Sequence, residues 1–156
     1  MPARRLPKRT ASSGKIGIIR GFPPTPPPPP PPASFPNMRS SGLFTMPRPG
    51  KYIDWAVING GIIGHWIRVT VYKCPVGAAK IAIAGPTSVF VEATFTAHET
   101  VATSGGKPDR TSVYYEVVVE DEDMRMHPSV QLFKRYPGDV IAGTLIPPQD
   151  FAQTAT

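Results

Sequence analysis

Fourteen of the chain's 21 prolines fall within its first 50 residues, seven of them in an unbroken run from Pro26 to Pro32. Each proline fixes φ and removes a backbone donor, so this stretch can supply neither a helix interior nor a central strand. Any core must come from the remainder of the 156 residues, and the sequence places its start near Lys51. The division predicted is an extended arm over residues 1–50 and a single domain over 51–156, which leaves about 100 residues for one modest core that self-association would help stabilise.

Charge divides at the same place. Residues 1–53 hold nine of the 17 Lys and Arg and no acid, whereas the rest holds eight basic and eleven acidic residues. A basic arm on a mildly acidic body implies a partner for the arm, either nucleic acid or an acidic protein surface. Arg4, Arg5, Lys8 and Arg9 are the expected electrostatic contacts. Further along, Lys15-Ile16-Gly17-Ile18-Ile19-Arg20 is a short apolar segment with no neighbour in sequence to pair with. Its side chains need a surface from the body or from another subunit, as in strand addition to a sheet edge. Phe22 and Phe35 flank the proline run, which should be a stiff polyproline II spacer rising about 3.1 Å per residue. Ile16, Ile18, Ile19, Phe22 and Phe35 are the expected apolar anchors.

Beyond Gly50 the pattern becomes strand-like, and Val, Ile, Thr, Tyr and Phe segments are broken by Gly, Pro, Asn and Asp. Strands are expected near 52–58, 64–72, 79–84, 89–97, 112–120, 129–135 and 140–146. In Trp66-Ile67-Arg68-Val69-Thr70-Val71-Tyr72 the aliphatic residues share one face, and Trp66, Arg68, Thr70 and Tyr72 share the other. One face is core, and the other is wet or an interface. No window shows helical periodicity. The fold class expected is all-β, a single antiparallel β-sandwich of jelly-roll-like kind.

Two turns are more specific. Tyr72-Lys73-Cys74-Pro75-Val76-Gly77-Ala78-Ala79-Lys80-Ile81 sets a Pro-x-Gly turn between strands, and Tyr136-Pro137-Gly138-Asp139-Val140-Ile141 sets Pro-Gly at a second. The pair resembles small β-sandwich structural proteins of tailed bacteriophages, which carry a Tyr-Thr-x-Pro-x-Gly-x-x-Ala-x-Ile segment and later a Pro-x-Gly-Asp-x-Ile segment. Here Lys73 and Cys74 stand where Thr and an apolar residue are usual, and Pro137-Gly138-Asp139 lacks the intervening residue. The resemblance implies a non-enzymatic capsid decoration, fibre or tail component, located in the virion. It implies partners that are further copies of the chain and other virion proteins. A second resemblance, of the basic group ahead of the strands, is to coat proteins of small icosahedral viruses, whose arms bind packaged nucleic acid. A cellular adaptor presenting its proline run as a ligand is a third class.

The residues point to no catalytic, cofactor or metal site. His65, His98 and His127 are too dispersed for a helical metal motif. Glu120-Asp121-Glu122-Asp123 lacks the glycine and spacing of a calcium loop and reads as a solvated acidic turn, or one that meets a basic arm from another subunit. Cys74 stands alone, which excludes an intrachain disulfide and predicts a small buried or half-buried apolar residue. No apolar run reaches the roughly 20 residues of a membrane helix. The first residues lack the apolar stretch of a signal peptide, so synthesis in a cytoplasm without a membrane partner is expected.

Overall fold

A computed structural model describes residues 26–48, 50–103, 113–135 and 138–154. Its strands are β1 (Asn37–Ser40), β2 (Phe44–Thr45), β3 (Tyr52–Asn59), β4 (His65–Pro75), β5 (Ile81–Val91), β6 (Thr96–Ala102), β7 (Val113–Asp121), β8 (Met126–Arg135), β9 (Asp139–Val140) and β10 (Ala152–Gln153). They form an all-β sandwich. One sheet has the order β10-β1-β7-β4-β5, with β2 also on β7, and the other has the order β6-β3-β8-β9. Every pairing is antiparallel, and the nested pairs β1–β10, β3–β8 and β4–β7 wind the chain as a roll.

Alternation decides what lies between the sheets. Ile53, Trp55 and Val57 of β3 face Ile67, Val69 and Val71 of β4, joined by Val117 and Val119 of β7 and by Met126, Val130 and Leu132 of β8, all buried. Cys74 is buried, as expected. Tyr115 also belongs to the core.

The folded body begins earlier than the predicted boundary at Lys51, because Asn37–Ser40 and Phe44–Thr45 run along β7. Asn37-Met38-Arg39-Ser40 has no apolar alternation and lies between Pro36 and Ser41-Gly42, so it does not look like a strand. It is held instead by polar groups. Arg39 points to the inner side beside Val119 and reaches Asp121 with both Nη2 and Nε, the latter at 3.1 Å. Asn37 Nδ2 donates to the same carboxylate at 3.2 Å. Asp121 is fully buried, so part of the predicted solvated acidic turn is core. Burial pushes its carboxyl above the ordinary range, and Arg39 and Asn37 pull it back.

Two further corrections concern strand ends. The expected strand 89–97 is the end of β5, a turn and the start of β6. Thr94 makes the reversal at φ 64, a conformation normally signalled by glycine or asparagine. Conversely, the expected break at Gly85-Pro86 is only a register shift inside β5, whose outer side pairs with no other strand among the described residues and needs no donor from Pro86. Gly85 has φ 85, and a Cβ there would lie 2.3 Å from the Val69 carbonyl oxygen. Of the expected strand 140–146, only Val140 and an isolated bridge from Ile146 to Val130 remain.

Removing Asp121 alone by Asp121→Leu leaves Arg39 buried without a partner and should cost about 3–5 kcal/mol. The double variant Arg39→Met with Asp121→Leu should recover most of that loss. Urea unfolding of both variants checks whether β1 is integral to the fold.

Candidate functional site: a polyproline segment seated on a sheet face

The outer face of the first sheet is built by residues that alternate with the core. On β4 these are Trp66, Arg68, Thr70 and Tyr72, and on β7 they are Glu116, Val118 and Glu120, with Arg68 directly opposite Glu120 and Tyr72 opposite Glu116. Arg68 donates to both Glu120 oxygens, Nε at 2.6 Å and Nη2 at 2.5 Å, a fork geometry that holds the guanidinium plane still and its proton tight.

That fixed plane lies over the ring of Phe35, 4.9 Å from its centroid. Phe35 is 7% exposed, so the residue expected to anchor the arm is buried against its own body. From Phe35 the chain runs back through the proline run to Trp66, whose indole Nε1 donates to the Pro29 carbonyl at 2.9 Å. A proline segment has no N–H groups but keeps its carbonyls, so an indole donor beside an aromatic surface is the contact it can make. Trp66 is itself held by Phe90 of β5, edge to face, with centroids 5.6 Å apart. Pro26 to Pro31 remain exposed and Pro32 is half-buried. The segment is therefore seated along one edge.

The acidic run that ends β7 and enters the following turn makes its contacts within the chain. Glu122 accepts the Trp66 backbone N–H at 2.7 Å, which fixes the strand residue that carries the indole. His65 is wedged between Glu122 and Asp123, with Nε2 3.1 Å from the Asp123 carboxylate. Arg125 hydrogen-bonds Asp123 and holds its carboxyl well below the usual range. Lower on the same face Glu116 pairs with Lys80 and accepts the Ser40 hydroxyl at 2.6 Å. Lys80 also lies over the Tyr72 ring.

His98 and His127 sit apart on the outer face of the second sheet. Among the described residues no group of three or more His, Cys, Asp or Glu converges as metal ligands. Ile16, Ile18, Ile19, Phe22, Arg4, Arg5, Lys8 and Arg9 lie outside the described residues. The second face of β4 was visible in its alternation, but the roles of Arg68, Glu120, Phe90 and Pro29 were not. No spacing rule links a proline to a tryptophan 37 residues away.

No family model matches the chain, and no curated protein matches it. A solved structure, that of Thermotoga maritima 1070, is similar with 9% identity and a TM-score of 0.41, covering 76% of this chain and 90% of that one. A likeness at this level leaves the reading of function to the residues themselves.

Trp66→Phe keeps a ring on the Pro29 contact but removes the donor, and should cost about 1 kcal/mol. Removing residues 1–34 should shift the Trp66 indole N–H resonance while leaving that of the core Trp55 in place. Two unshifted indole signals would mean that the proline run does not rest on Trp66 in solution.

Proposed function

We propose that this chain is a non-enzymatic structural protein of a virus particle, a capsid decoration, fibre or tail component. Its sandwich serves as the docking body, and its N-terminal arm ties that body to neighbouring copies. The observation that carries the proposal is the hydrogen bond from Trp66 to Pro29, with Phe35 buried under Arg68 behind it. Two fixed points on a stiff segment give the arm a direction. A catalytic or transport role gains nothing from that, whereas an assembly needs its tether to leave each subunit along the same line.

The charge distribution supports the same reading. The 25 residues ahead of Pro26 carry six Lys and Arg and no acid, and the body beyond residue 53 is net acidic. Arms of one copy and bodies of another therefore attract, which favours encounter and register more than raw affinity. The two Pro-Gly turns that resemble those of phage sandwich proteins support the virion class, and with it self-association and binding to other virion proteins. Localisation in the virion follows from that class.

Light scattering of the full-length protein tests this function. A defined oligomer should survive nuclease and high salt, and should dissociate when residues 1–34 are removed, a truncation that spares the buried Phe35. Particles that collapse on nuclease treatment would instead identify a nucleic-acid-packaging coat protein. A monomer with an accessible proline run would identify an adaptor.

A further inference from the structure

The sandwich is open along one side. β5 is the last strand of the first sheet and β6 the last strand of the second, so each leaves its outer backbone groups unpaired among the described residues. Between them lies a groove of about 360 Å³ lined by Val89, Val91, Phe90, Glu92, Phe95 and Ala97. Phe95 is 60% exposed. Asn59 ties its turn to the β3–β4 loop, accepting from Thr94 N–H and donating its own N–H to the Phe95 carbonyl. That loop presents Ile62 at 86% exposure and Ile63 at 56%. An apolar groove beside an unpaired edge strand is a surface that proteins ordinarily cover.

The arm arrives at this place. Pro29 rests on Trp66, Trp66 packs on Phe90, and Phe90 lines the groove. Upstream lies Lys15-Ile16-Gly17-Ile18-Ile19-Arg20, the one run of β-branched residues ahead of the prolines. We propose that Lys15–Arg20 of a second copy adds as a strand to the free edge of β5, with Ile16 and Ile18 filling the groove. The inference rests on the arm-tethering function proposed above and names its acceptor.

Three features fit this occupant. Residues two apart share a face of a strand, so Ile16 and Ile18 enter the groove together while Gly17 stays outside. The segment has a cation at each end, Lys15 and Arg20, and Glu92 stands at the end of the groove, so either strand direction brings opposite charges together. Reach selects a second copy. Nine residues separate Ile19 from Pro29, five of them prolines, and at about 3.1 Å per residue their greatest reach from Trp66 is about 30 Å. The chain's own groove begins one ring contact away. That length is enough to place the segment at a neighbour's groove rather than at the one beside Trp66. The contact is head to tail, so repetition closes a ring or extends a filament.

The test uses full-length protein. Copies carrying Ile18→Cys and differently tagged copies carrying Phe95→Cys, both in a Cys74→Ser background, are mixed and oxidised. A disulfide species containing both tags is expected. A single chain carrying both cysteines that cross-links only to itself would overturn the second-copy assignment. Separately, Ile18→Asp and Phe95→Asp should each weaken self-association by about tenfold or more. Because Phe95 is exposed, its variant should keep the wild-type far-UV circular dichroism, which shows that the fold is intact. If full-length protein assembles and both variants assemble equally well, the groove is not the acceptor although the tethering function stands. If the wild type is monomeric at every concentration, both fall.

Discussion

Asp121 is a carboxylate placed where no water reaches it, and the organisation of the arm depends on that. An ionised group at full burial must be paired, and the partner comes from Arg39, a residue that a proline count assigns to the arm. Pairing Arg39 with Asp121 fixes β1 on β7 in one register, Asn37 opposite Asp121 and Ser40 opposite Val118. With β1 fixed, Phe35 falls over Arg68 and the proline run falls on Trp66. Each contact is modest, but each presupposes the one before it.

The rest of β7 repeats the logic on the other face. Its even-numbered acids point outward, where Glu116 meets Lys80 and Ser40, Glu120 meets Arg68, and Glu122 in the turn beyond meets the Trp66 backbone N–H. The outer face is thus a row of carboxylates that gathers groups from β1, from β4 and from the turn before β5. Surface ion pairs contribute little when two flexible side chains must be held together. Here the side chains are already constrained by neighbouring strands, and Arg68 serves chiefly to present a flat cation to Phe35.

How much of this the sequence disclosed follows from which force holds each element. Elements held by apolar alternation were legible: β3, β4, β7 and β8 show it, and the all-β sandwich follows from them. Elements held by polar pairing or by unusual dihedrals were not. β1 is a strand because of Arg39 and Asn37, neither of which signals a strand. The β5–β6 reversal turns on Thr94 at positive φ with no glycine to announce it. Phe35 stood out in the sequence as an aromatic residue beside the proline run, but its contact with Arg68 did not, since that contact depends on a register that only the folded sheet defines.

The composition of the arm explains why so few contacts suffice to seat it. Ordering a flexible residue costs about 1–2 kcal/mol of backbone entropy, so a Gly/Ser linker from Pro26 to Pro32 would cost several times what one hydrogen bond of about 1 kcal/mol returns. In a proline run φ is set before folding, and little of that cost remains to be met. One indole donor on one carbonyl can then orient a segment most of whose residues are exposed. The same stiffness that makes seating inexpensive resists a sharp reversal within Pro26 to Pro32, so the seated run has one direction along the sheet face.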